Sequence, residues 1–87
     1  MTLKIVKEYL RLDDDSEDGY LRVLILLSSE ICLNYMRMDK FPSKMPKAVK
    51  QARLLTIGYF FENREATKDD VPKAVFSLLD PYRKAAF

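Results

Sequence analysis

Histidine and tryptophan are absent from this 87-residue chain, cysteine occurs once and glycine twice. Each scarcity removes a class of function. A single cysteine, Cys32, excludes an internal disulfide, and one thiol without histidine leaves no ligand set for a zinc site. A serine or Cys32 acting as nucleophile would have to borrow a lysine or carboxylate as base. There is no glycine-rich loop to cradle a phosphate. The longest apolar run, Val23 to Leu27, is far too short to span a bilayer. The start, Met1-Thr2-Leu3-Lys4, lacks the apolar stretch of a secretion signal, so the sequence predicts a soluble protein made in a reducing cytoplasm. No enzyme activity, no cofactor and no membrane contact are expected.

What is present is an apolar, charged and short chain: 48% hydrophobic and 32% charged, with a net charge of +2. That balance predicts one globular domain, spanning 1–87, rather than a disordered segment. A domain of this length buries only about 60–65% of the surface its unfolded form exposes and is marginal alone. With disulfides and metals excluded, self-association is the remaining source of stability. The charges are unevenly placed. Asp13, Asp14, Asp15, Glu17 and Asp18 form a run with no base inside it, whereas Lys40 to Phe61 holds Lys40, Lys44, Lys47, Lys50 and Arg53 and no acid. A molecule with one acidic and one basic zone can dock head-to-tail on its own copy.

The spacing of apolar residues predicts an all-α fold, a small bundle of about four helices with a long second and third helix and a short last one. Thr2 caps a first helix reaching about Leu12, with Leu3, Val6 and Leu10 on one face. Asp14 and Glu17, three apart, suggest a capping box at the start of a second helix from about Ser16 to Met38. Leu21, Leu24, Ile25, Ser28, Ile31, Cys32, Tyr35 and Met38 form its buried stripe. Val23, Leu26 and Leu27 fall outside it, more apolar surface than a monomer's helix requires. Pro46 suits the first turn of a third helix ending near Asn63. Gly58 within it suggests close approach of another helix. Pro72 opens the last helix, with Val71, Ala74, Val75, Leu78 and Tyr82 on one face. Asp80, preceding Pro81, is expected to leave helical geometry, so that helix ends near Leu79.

Three constellations invite a chemical reading. Asp14-x-Ser16-x-Asp18-Gly19 imitates the start of a calcium loop, but the position where that loop places a bidentate glutamate is Ile25. A solvated helix start is the better reading. Lys44, Lys47, Lys50 and Arg53, three apart, line one drifting face that could meet phosphates without reading sequence. The same face could pair with another subunit, and the low net charge favours that. The aromatic cluster Tyr59-Phe60-Phe61 could stack bases, yet aromatics at helical spacing usually belong to a core. A small helical DNA-binding or regulatory protein using Lys44 to Arg53 is therefore the alternative to an assembly protein. Against it, a recognition helix is rich in polar base-reading residues, and the third helix is apolar in its second half.

The last third narrows the choice. Tyr59-Phe60-Phe61-Glu62-Asn63-Arg64-Glu65 runs through a short polar gap into a helix ending Leu78-Leu79-Asp80-Pro81-Tyr82-Arg83. An aromatic pair plus Glu-Asn-Arg-Glu, a variable loop, then Leu-Leu-x-Pro-Tyr-Arg resembles the head–tail connector (head-completion) proteins of tailed bacteriophages and prophages, a family also associated with DNA packaging. Thr2-Leu3 to Leu12 before an aspartate break, Asp18 and Leu21 entering a long helix, and Pro46 starting the next agree with it. The gap Ala66 to Val71 is shorter than in many members, and the second helix is rich in Leu and Ile where they carry alanines.

The resemblance implies a mostly helical subunit of a homo-oligomeric ring. Such a ring docks beneath the portal protein after DNA packaging, extends the DNA channel and offers a surface to the next head-completion or tail protein. It implies a place at the head–tail junction of a virion, after synthesis in the bacterial cytoplasm. On that reading Leu26, Leu27, Tyr59, Phe61, Asn63, Arg64 and Glu65 are candidates for the interface with a neighbour. Lys44, Lys47, Lys50 and Arg53 face either the DNA channel or an adjoining subunit. The Asn63-Arg64-Glu65 corner is expected to set the angle between the third and fourth helices.

Overall fold

Thr2 adopts extended backbone and its hydroxyl accepts the Ile5 N–H at 3.3 Å, which starts helix α1, Leu3–Leu10. In the computed structural model, which describes residues 1–83, three further α-helices follow: α2, Asp18–Met36; α3, Lys47–Glu62; and α4, Lys73–Leu79. Single 3-10 turns cover Lys68–Asp70 and Asp80–Tyr82. The all-α bundle read from the sequence is the observed fold.

Both α1 and α2 stop two residues short of where the apolar pattern would carry them, for one shared reason. Arg11 and Arg37 take left-handed backbone, with φ of 59° and 60°. Behind them Leu12 N–H bonds to Lys7 O, and Met38 N–H to Leu33 O, each at 3.0 Å. These are Schellman ends, and the apolar residue beyond such an end packs back on the last turn. Leu12 and Met38 are therefore core contacts outside the helix rather than its last members. An arginine in this conformation is strained where glycine is not. Arg37→Gly is expected to stabilise the domain by about 0.5–1 kcal/mol, read from the urea midpoint.

Three other local expectations are corrected. No capping box forms before α2. The Asp14 carboxylate instead accepts the N–H and hydroxyl of Ser16 at 3.2 and 2.8 Å, and Glu17 stands at the cap position without its side chain capping the helix. Pro46 and Pro72 sit just before α3 and α4, not in their first turns. Their ψ values of 146° and 141° are extended, and their carbonyls receive Val49 and Val75 N–H at 3.1 Å. Asp80 keeps helical angles, φ −50° and ψ −45°, despite preceding Pro81. The chain tightens into the Asp80–Tyr82 turn, closed by Arg83 N–H on Asp80 O at 3.2 Å. The Asp80 N–H continues the helix onto Phe76 O, and its carboxylate accepts a long-range bond from Tyr35.

Helix α3 is the centre of the bundle and packs most extensively against α2 and α4. It runs antiparallel to α2: Tyr20 near the start of α2 donates to Phe60 O near the end of α3, and Arg53 meets Ser29 between them. Leu21, Leu24, Ile31, Cys32 and Met36 of α2 meet Val49, Ala52, Leu54, Ile57 and Phe60 of α3, with Val6, Val75 and Leu79 completing the core. In α4 the buried edge is Val75 and Leu79, continued by Val71, while Ala74 and Tyr82 are exposed. Gly58 faces the end of α1: a methyl there would lie 3.4 Å from Tyr9 and 3.9 Å from Leu10, so the helices approach closely but leave room for alanine. Among the described residues, no helix is long and apolar enough to cross a membrane.

Candidate functional site

The side chains that could do work in this molecule lie at the two ends of the α2–α3 pair and on the outer face of α2. At one end, Lys7 of α1 reaches across to the acidic connection and meets Asp15 at 2.6 Å and Asp18 at 3.1 Å. Hydrogen bonding to these carboxylates raises the Lys7 pKa, and Lys7 in turn holds Asp15 below the ordinary carboxylate range. Asp14 is held low chiefly by its bond from the Ser16 hydroxyl. The residues resembling a calcium loop are thus engaged in local bonds with Ser16 and Lys7. Asp13 and Asp14 have no ion-pair partner among the described residues.

The Asn63-Arg64-Glu65 corner adjoins this end. Asn63 Nδ2 donates back to Tyr59 O at 2.9 Å. Arg64 crosses to the start of α2, pairing with Glu17 at 2.5 Å and lying over the Tyr20 ring at 4.4 Å. Phe61 packs beside the same ring, 6.4 Å between centroids. The corner therefore ties the end of α3 to the start of α2, a contact that its position in the chain does not suggest. Glu17 and Tyr20 are the partners that sequence reasoning missed; they lie more than 40 residues away and carry no local signal. Arg64→Ala is expected to cost about 1 kcal/mol, because the ion pair is half exposed and the ring contact adds a similar small amount. Arg64→Lys should recover less than half of it in thermal denaturation, since an ammonium cannot both lie flat on Tyr20 and hold Glu17.

At the other end, the lysine stripe is shorter than the sequence suggested. Lys44, Lys47 and Lys50 are exposed, but Arg53 is 4% exposed and turned inward. Its Nη2 donates to Ser29 Oγ at 2.5 Å, and Phe41 covers the guanidinium at 4.5 Å from the ring centroid. Met45 Sδ is 4.0 Å from Nη1, and Nε has no hydrogen-bond partner among the described residues. Burial pulls the Arg53 pKa down, and no carboxylate faces it among the described residues. The signal was present in the spacing, since Val49, Arg53, Ile57 and Phe60 share the α3 core face.

On the outer face of α2, Val23 is 58% exposed and Leu26 72%. Leu26 borders a shallow groove with Met1, Leu3, Arg22 and Ile25. Leu27, Tyr59 and Phe61 are half-buried, and Glu65 is exposed. The interface candidates thus split between this apolar face and the corner. A third cluster joins α2 to the chain's end: Tyr35 donates to Asp80, stacks on Phe76 at 4.6 Å, and receives the Arg83 guanidinium at 4.7 Å. The hydrogen bond to Asp80 raises the Tyr35 pKa. Asp80 and Arg83 thus hold the chain's end against α2 at Tyr35.

Compared with known proteins, residues 1–83 match a family model described as phage gp6-like head-tail connector protein. No curated protein and no solved structure gives a match.

Proposed function

This chain belongs to the phage gp6-like head-tail connector family, and from that premise we propose that its copies form a ring which docks on the portal after DNA packaging. The ring continues the DNA channel and gives the next head-completion or tail protein its attachment surface. The family's role is structural, and the observation carrying this reading is a match over nearly the whole chain. The work is done by surfaces rather than by bond-making chemistry.

The physical features support it. A core this small gains stability from a neighbour, and Leu26 and Val23 offer apolar surface that the monomer leaves in water. Leu26, Leu27, Tyr59, Phe61, Asn63, Arg64 and Glu65 are proposed as contacts with an adjoining subunit or the portal. In that role the Arg64 clamp would hold the corner in one shape before docking, which lowers the ordering cost of association. The protein's place is then the head–tail junction of a virion, after assembly in the host cytoplasm.

The test is native mass spectrometry across concentration, with and without the portal protein, and electron microscopy of the large species. Rings, free or seated on the portal, are the expected result. A protein that stays monomeric, ignores the portal and binds short duplex DNA tightly would overturn the reading in favour of a DNA-binding role.

A further inference from the structure

The ring reading leaves open which surfaces meet, and the geometry points to one contact: the acidic connection between α1 and α2 of one copy seats on the lysine pole of the next. This inference rests on the proposal that copies assemble and adds the interface and its chemistry.

The lysine pole is a concentration of positive charge that the monomer does not neutralise. Lys44, Lys47 and Lys50 have no ion-pair partner among the described residues. Lys47 and Lys50 stand in the first turn of α3, which holds no acid. A helix start already carries about half a positive charge, so lysines there oppose the local preference. Arg53 lies beneath, buried without a carboxylate. A buried cation lacking an anion is costly, and Asp39 is the sole acid between Arg37 and Phe61. The arrangement is electrostatically unfavourable in the isolated molecule and becomes favourable once an anionic surface covers it.

The chain carries a matching surface that it cannot use on itself. Lys7 and Arg64 offset only part of the run from Asp13 to Asp18, leaving Asp13 and Asp14 unpaired and exposed. Because α2 and α3 are antiparallel and Ser29 is level with Arg53, the helical rise of 1.5 Å per residue puts Glu17 and Lys47 roughly 27 Å apart along the bundle. That is beyond side-chain reach and about three Debye lengths at physiological salt. The two poles therefore do not neutralise each other within one copy. Between copies they can, and such a contact is head-to-tail: it uses two different patches, repeats, and closes into a ring when the rotation permits. Duplex DNA could also cover the lysines, but it would leave the acidic pole unpaired. A second copy satisfies both.

Two variants and their mixture decide the matter. Asp13→Lys with Asp14→Lys cancels most of the acidic pole's charge and leaves the lysine pole intact; Lys47→Glu with Lys50→Glu does the reverse. All four positions are exposed, so circular dichroism should report an unchanged fold. In sedimentation at about 50 mM salt, each variant alone is expected to self-associate at least about tenfold more weakly than the parent chain, and about 500 mM salt should weaken the parent similarly. An equimolar mixture of the two should regain association, because their poles are again complementary. Variants that assemble like the parent, a mixture that stays monomeric, or a parent chain that is monomeric at low salt each overturn the contact. If Lys47→Glu with Lys50→Glu instead abolishes duplex binding while the mixture stays monomeric, the lysine pole belongs to DNA. None of these results removes the ring reading, which is decided separately by microscopy of the chain with the portal.

Discussion

Leu21→Ala is expected to lower the unfolding free energy by about 3 kcal/mol, while Leu26→Ala on the same helix should change it by less than about 0.5 kcal/mol. The two residues are chemically identical, and Leu21 is fully buried whereas Leu26 is 72% exposed. Truncating Leu21 removes apolar atoms from a packed centre and leaves a cavity, which the surrounding helices fill only in part. Leu26 loses little packing on truncation, and alanine is the better helix former. In a domain this small, with about 5–8 kcal/mol in total, Leu21→Ala takes away a large share and should lower the melting temperature by about 12–24 °C. Urea denaturation at dilute protein, where only the monomer is present, makes the comparison. Under assembling conditions the order reverses. There Leu26→Ala is expected to weaken self-association by about tenfold, the scale of an apolar anchor at an interface. A loss of monomer stability from Leu26→Ala would show that its face is already covered within one chain.

The second large effect concerns Cys32. Its side chain is fully buried on the α2 core stripe, and burial pushes the thiol up to about 11. The thiolate is the reactive form, so at pH 8 this shift alone lowers reactivity about a hundredfold against an ordinary thiol. Inaccessibility adds more, because reagent reaches the sulfur only through opening of the α2–α3 packing. Labelling by a small alkylating reagent should therefore run at least about a thousandfold slower in native buffer than in denaturant. The same shift has a consequence for pH. The unfolded thiol loses its proton near its ordinary value while the folded one keeps it, so the folded state binds more protons between about pH 8.5 and 11. The contribution is fully present below that window and is lost as pH rises through it. The stability difference between the parent chain and Cys32→Ala should accordingly shift by about 2 kcal/mol towards the variant from pH 8 to pH 11. Rapid labelling in native buffer would show that α2 does not pack as described.

The helices were readable because their causes are local. The stripe of Leu21, Leu24, Ser28, Ile31 and Cys32, and Pro46 and Pro72 ahead of α3 and α4, act within three or four residues. Where the reading overran, at Leu12 and Met38, the missing information was a left-handed arginine, a conformation that arginine's own preferences argue against. Asp80 failed for the opposite reason. Its local preference is clear, yet its N–H continues the helix onto Phe76 O, and a tyrosine 45 residues away meets its carboxylate. Arg53 is the instructive case for the site. As one of four bases at three-residue spacing it looks like part of a charged face, and at four-residue spacing from Val49 and Ile57 it looks like core. Only Ser29 and Phe41, supplied by α2 and the connection after it, decide between them.

The sequence by itself determined an all-helical chain, its family resemblance, and two charge zones of opposite sign. Those follow from composition and from neighbours along the chain. The tertiary structure alone decided which charges are spent within the molecule. Lys7 is engaged by Asp15 and Asp18, Arg64 by Glu17, and Arg53 is buried under Phe41, while Lys44, Lys47 and Lys50 are left facing water at the far end. Charges act through distance in space, and the antiparallel pairing of α2 with α3 brings together partners 24 and 47 residues apart in the chain.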